Sequence, residues 1–157
     1  MKKINSFGIF NIIGLVFGYF AIFRILNSNT IELYEKFTLP AGFPTRNGLF
    51  VIFGFLFVLW AFGCFFVYSV NLSLRRMRNI FLNSLILIIG IFIWVYILFI
   101  AMNLQGALAV SIAILLLSIV ILFMYLVTHR YGGYLFTPVV IWMLYQIYLS
   151  AALLINN

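Results

Sequence analysis

Residues 136–154 read FTPVVIWMLYQIYLSAALL, an apolar run interrupted by a proline, a tryptophan, two tyrosines and a glutamine. A helix crosses a bilayer with about 20 mainly apolar residues, because each adds about 1.5 Å of rise. Contact with lipid alone requires none of the polar-edged side chains in this run. They imply neighbours inside a bundle, and the rest of the chain supplies four more segments of the same kind.

The five apolar segments are Phe7–Ile25, Gly48–Val70, Ile80–Met102, Gly106–Val127 and Gly132–Ile155. Val, Leu, Ile and Phe lie on every side of each, as for helices surrounded by lipid rather than half in water. The alternation over shorter segments that marks a membrane β-barrel does not occur. Only 7% of the residues are charged and 67% are hydrophobic, whereas a soluble domain carries roughly 25% charged residues. The expected fold is therefore an all-α membrane protein, one bundle of five transmembrane helices over residues 1–157. The first segment follows Lys2 and Lys3 as a signal peptide would. It is too long for an apolar signal core and no small-x-small site follows it, so it reads as a mature helix.

The basic residues set an expected orientation. With the N-terminus in the cytoplasm, Lys2, Lys3, Arg75, Arg76, Arg78 and Arg130 fall inside, against Arg24, Lys36 and Arg46 outside. Five crossings then put the C-terminus outside. The net charge of +7 is accounted for by such orientation charge beside anionic headgroups. SLRRMRN, residues 73–79, has no domain to present it to DNA, so no nucleic-acid partner is expected.

Three of the connections are a few residues long, so helices adjacent in sequence are expected to pack antiparallel. The exception is NSNTIELYEKFTLPAGFPTRN, residues 27–47, which reads as a long loop containing Tyr34, Pro40, Pro44 and both acidic residues. Such a loop is either a lid over one mouth of the bundle or a solvated tether. Gly14 and Gly18 form a G-x-x-x-G spacing in helix 1, which serves either packing within the chain or a homodimer.

Several chemistries are missing. No Asp, Glu or Lys lies within a span, and Arg24 is near the end of the first, which argues against proton relays and ion-coupled carriers. His129 stands at a helix end, and Cys64, the single cysteine, has neither a disulfide nor a metal-site partner. No Ser-His-acid set and no paired carboxylates are available, so conventional acid–base or metal catalysis is not expected.

What remains is aromatic. Pro138, Trp142, Tyr145 and Leu149 recur at i, i+4, i+7 and i+11, one face of a helix, with Gln146 beside it. Pro138 releases the carbonyl of Tyr134 and is expected to bend the helix. An aromatic face with a phenol and an amide can be one wall of a pocket for a flat apolar ligand. Equally, it can be tight helix packing with its polar groups bonded to neighbours.

The stretch P-V-V-I-W-M-L-Y-Q-I-Y-L-S, Pro138 to Ser150, resembles the fifth-helix signature of the TspO/MBR family, the translocator or tryptophan-rich sensory proteins. That signature reads roughly P-Y-x-x-W-x-x-F-A-x-x-L-N. Pro138, Trp142 and Leu149 match it and Tyr145 stands for its Phe, while Val139, Gln146 and Ser150 depart from its Tyr, Ala and Asn. Tyr34 to Pro44, YEKFTLPAGFP, looks like the family's Y-x-x-L-x-K-P-x-x-x-P-P loop. Phe53 and Phe57 fall near its next aromatic positions. Trp94 stands where the family has N-x-x-W, with Ile91 in place of the Asn.

The resemblance implies a divergent, bacterial-type member in the cell membrane, often dimeric, whose pocket is closed by the first loop. It implies a porphyrin or haem-type tetrapyrrole, or a sterol-like molecule, as ligand, with a sensor or carrier role and no required cofactor. By position, Trp142 and Tyr145 with Pro138 and Gln146 would line the pocket, Phe53, Phe57 and Trp94 would stand opposite, and Tyr34, Pro40 and Pro44 would belong to the lid. One alternative is a membrane partner or regulatory subunit without its own ligand. Another is light- or oxygen-dependent porphyrin breakdown, which in the family rests on paired tryptophans, one of which is missing here. The family's C-terminal sterol motif is also missing, since LSAALLINN after Tyr148 holds no basic residue.

The orientation is testable with reporter fusions at Asn157. Alkaline phosphatase fused there is expected to be active and green fluorescent protein dark; the opposite pair of results overturns the inside N-terminus.

Overall fold

The computed structural model describes residues 5–157, apart from the side chains at positions 29 and 30. Lys2 and Lys3, which count toward the orientation, lie outside the described residues. Five helices follow in order: α1 (Ser6–Lys36), α2 (Arg46–Tyr68), α3 (Leu74–Phe99), α4 (Leu104–Thr128) and α5 (Arg130–Asn156). Each contains a stretch long and apolar enough to cross a membrane. Three of the starts share one local device. Asn5, Thr45 and Asn103 each accept, through the side chain, a hydrogen bond from the backbone N–H of the glycine three residues on. Such caps satisfy one of the amides that a helix start leaves unpaired.

The long first loop is not present. α1 runs eleven residues past Ile25, through both glutamates, and only Phe37–Thr45 connects it to α2. The cause lies in residues 31–36, IELYEK, which are polar enough to leave the bilayer yet good helix formers. Leu33 in this extension is fully buried. The apolar span ends near Ser28, so hydropathy marks where lipid ends and not where the helix ends. Arg46 reaches back across the shortened connection to the side-chain carbonyl of Asn27.

The helices close into a ring in the order α1–α2–α5–α4–α3, with α3 packed back on α1. The pairs α1–α2, α3–α4 and α4–α5 do pack as sequence neighbours. The expectation fails for α2 and α3, which sit on opposite sides of α1 despite the short Ser69–Ser73 connection. Geometry permits it. Second neighbours in a ring of helices 8–10 Å apart are about 15 Å from each other, and six steps of chain reach about 20 Å. The turn crosses the start of α1, where the Asn5 amide donates to the Tyr68 carbonyl at 3.1 Å.

Outward faces carry exposed Phe10, Phe17, Phe55, Phe62, Leu116 and Phe123, the surface an apolar solvent allows. The inward faces repeat with heptad spacing, most regularly at Ala107, Ser111, Ile114, Ser118, Ile121 and Tyr125 of α4. Where α5 meets α2 the backbones touch. A Cβ on Gly132 would stand 2.7 Å from Val67 Cγ2 and 3.0 Å from the Gly63 carbonyl, and one on Gly63 would stand 3.0 Å from the Gly132 carbonyl. Gly14 and Gly18 turn toward α3, where a Cβ on Gly18 would meet Ile88 Cγ2 at 2.8 Å. Gly18 thus gives α3 room to pack on α1.

Gly132→Ala is expected to lower the melting temperature in detergent. Helix propensity gains up to about 1 kcal/mol, but overpacking against a backbone carbonyl costs about 1–3 kcal/mol. Gly14→Ala, with its nearest neighbour 3.7 Å away, should leave the melt unchanged or raise it. Equal melting of the two variants would show that the α2–α5 contact is not tight.

Candidate functional site

α5 continues without interruption through Pro138. Near the proline, the Thr137 hydroxyl donates to the Gly133 carbonyl at 3.2 Å. Val139, Met143, Gln146 and Ser150 form the inward stripe, and Pro138, Trp142 and Tyr145 flank it on the α2 side. Trp142 meets the ring of Phe53 edge-to-face at 5.9 Å. Phe53 stacks on Phe57 at 6.5 Å, and Phe57 stacks almost parallel on Trp60 at 6.0 Å. Four of the expected residues therefore come together as one aromatic seam between α2 and α5: Trp142, Tyr145, Phe53 and Phe57.

Trp94 is placed differently. It projects from α3 across the interior, and its indole N–H donates to the Ser150 hydroxyl of α5 at 3.2 Å. It faces the turn of α5 after Gln146, not the seam. Trp60, off the positions that match the family signature, also belongs to the seam. It stacks on Phe57, meets Phe136 at 5.2 Å and donates its indole N–H to Tyr125 at 3.2 Å. The Tyr125 hydroxyl also contacts Cys64 Sγ at 3.1 Å and Ser84 Oγ at 3.3 Å. One phenol thus serves three helices, α2, α3 and α4.

The connection from α1 to α2 is a strap across the end of this seam. Pro40 accepts a hydrogen bond from Phe43 N at 3.1 Å, and Gly42 between them has φ +85°. This is a turn of the kind that requires glycine at its third position. The Gly42 carbonyl in turn accepts the Tyr145 hydroxyl at 2.7 Å. A Cβ there would stand 2.7 Å from that hydroxyl oxygen, so the glycine serves both the turn and the latch. Two more ties hold the strap. The Tyr34 hydroxyl donates to the Pro44 carbonyl, and the Asn157 side chain bonds both the N–H and the carbonyl of Thr38, at 2.8 and 3.1 Å.

Inside the seam there is little free space. A void of about 10 Å³ is bordered by Phe53, Leu56, Phe57, Trp60, Ile91, Val139 and Met143, room for about one water. Outside it, a groove of about 340 Å³ between α1 and α2 is lined by Leu15, Val16, Tyr19, Gly54, Phe57, Val58 and Ala61. Phe57 borders both spaces. Two inward polar groups on α5 have no hydrogen-bond partner: the indole N–H of Trp142 and both amide atoms of Gln146. A buried polar group left in this state costs about 1–3 kcal/mol.

These features, five spans in a ring with a strap over an aromatic seam, accompany a direct sequence finding. Residues 7–155 match the TspO/MBR family. The chain belongs to that family. No curated protein gives a match. Within this TspO/MBR protein the departures from the signature have structural consequences. Ser150, in place of the family's Asn, is the acceptor for Trp94, and Gln146, in place of its Ala, brings an amide into the core.

Tyr34 links the strap to solution pH. Burial pushes its phenol from the ordinary 10.0 up to about 12. The folded-state value is raised, so the tie to Pro44 is intact below pH 10 and is lost as pH rises toward 12. The tyrosinate absorbance of the wild type minus that of Tyr34→Phe is expected to titrate near pH 12. A midpoint near 10 would mean that the phenol is solvated and the strap is not held there.

Proposed function

We infer that this TspO/MBR membrane protein binds a flat, largely apolar small molecule, a tetrapyrrole or a sterol-like compound, along the α2–α5 seam, as a sensor or carrier. What carries the reading is the latch. The strap is fastened by Tyr145, three residues along α5 from Trp142, so the segment that would close a site lies over the aromatic face that would form it. A flat ligand would enter by separating Trp142 from Phe53, exchanging one aromatic contact for another. Phe57 stands between the lipid-side groove and the interior and gives such a ligand a route from the bilayer.

A second reading, a membrane partner protein without a ligand of its own, is favoured by one observation. The interior void of about 10 Å³ is far below the 300 Å³ or more of an ordinary ligand pocket. Binding on the first reading therefore requires the seam to open.

Protoporphyrin titration with tryptophan-fluorescence quenching separates the two. Saturable quenching is expected, and Trp142→Ala should weaken it about fivefold or more, the loss of about 1 kcal/mol of stacking. Trp142→Phe, which keeps a ring against Phe53, should retain most of the affinity. Folding is followed by melting temperature, because emptying a buried Trp site also destabilises. If both variants fold and bind as the wild type does, the seam is packing and the ligand site is elsewhere; if the wild type shows no saturable quenching, the partner-protein reading stands.

A further inference from the structure

Gln146 is wholly buried on the inward stripe of α5, one turn beyond Met143, which borders the interior void. Neither its Oε1 nor its Nε2 is hydrogen-bonded. Ser150, the next polar group along the stripe, accepts the indole N–H of Trp94. Trp142 lies four residues before Gln146, on the adjacent part of the helix surface, and its own indole N–H is buried and unpaired. One turn of α5 thus offers three N–H donors, on two nitrogens, and one acceptor oxygen with nothing in the protein to take them.

We propose that this turn makes Gln146 the specificity-determining residue of the site, selecting a tetrapyrrole that carries a neutral carboxyl or lactam group over one that is wholly apolar. The assignment rests on the ligand-binding reading above. The complement follows from counting. A carbonyl oxygen has two lone pairs, one for the Trp142 indole N–H and one for the Gln146 Nε2–H. The adjacent O–H of a carboxylic acid, or N–H of a lactam, then donates to Gln146 Oε1. An ionised carboxylate offers no donor, and its charge is costly to bury without a partner, so an acid would bind in its neutral form. A purely hydrocarbon edge would leave all three atoms, Trp142 Nε1 and Gln146 Nε2 and Oε1, unpaired.

The test compares three probes by fluorescence quenching of the detergent-solubilised full chain: protoporphyrin IX (carboxyls), biliverdin dimethyl ester (lactams only) and octaethylporphyrin (neither). At least one of the first two is expected to bind about tenfold more tightly than octaethylporphyrin, the contribution of one or two neutral hydrogen bonds. Which one does so identifies the group recognised. Gln146→Met, nearly equal in volume and without the amide, should bring the affinities within about twofold of each other and should melt no lower than the wild type. If octaethylporphyrin binds wild-type protein as tightly as both other probes, or if the preference survives in Gln146→Met, the assignment of Gln146 is overturned while the binding site stands. Saturable quenching by none of the three overturns the ligand-binding reading itself. Gln146→Ala is the second variant for the same comparison: it too should lose the preference, and a preference that survives in either folded variant overturns the assignment.

Discussion

The close approach of α2 and α5 fixes the rest of the bundle. Gly63 and Gly132 let the two backbones meet with no side chain between them, and in lipid, where helices gain little by hiding apolar surface from each other, such contact is the main source of attraction. Once the helices touch at this end, their heptad stripes are in register. Trp60 then meets Phe136, Phe53 meets Trp142, and Tyr145 arrives beneath Gly42. The ring order follows as well. With α5 held between α2 and α4, α3 can complete the ring only by packing back on α1.

Two groups of buried polar side chains in this bundle have opposite fates. Around Tyr125, a hydroxyl, a thiol, an indole N–H and a serine from three helices satisfy one another. Around Gln146, an amide and an indole N–H remain unpaired. The first arrangement is what a low-dielectric interior favours, and it ties α2, α3 and α4 together. The second opposes stability without any compensation inside the chain.

The sequence made some of this legible and hid the rest for physical reasons. The five spans could be read because bilayer thickness and hydropathy are directly linked. The C-terminal end of α1 could not, because Leu33 and Tyr34 continue a helix whose outer face has already left the lipid. A short connection ordinarily means adjacency, but Ser69–Ser73 is just long enough to step over α1. Spacing locates the face of α5 and puts Gln146 beside it, but spacing carries no sign that the Gln146 amide is unpaired. Trp60 and Tyr125 sit in runs of Leu, Ile, Val and Phe that look lipid-facing on every side. Only the ring order reveals which of those residues point inward.

The strap and the seam are held in different ways, and this bears on how the site could open. The seam is aromatic packing between two helices whose backbones touch, so it can widen only away from the Gly63–Gly132 contact, toward the strap. The strap itself is nine residues, Phe37–Thr45, crossing without regular structure. Its polar ties to the rest are hydrogen bonds from Tyr34, Tyr145 and Asn157, each worth about 1 kcal/mol net, and Phe37, Leu39 and Phe43 add apolar contact with the core. Losing such ties leaves the ring intact, whereas separating α2 from α5 at the glycines would not. If the seam binds a ligand as proposed, opening would belong at its Tyr145 end, with release of the latch preceding separation of Trp142 from Phe53.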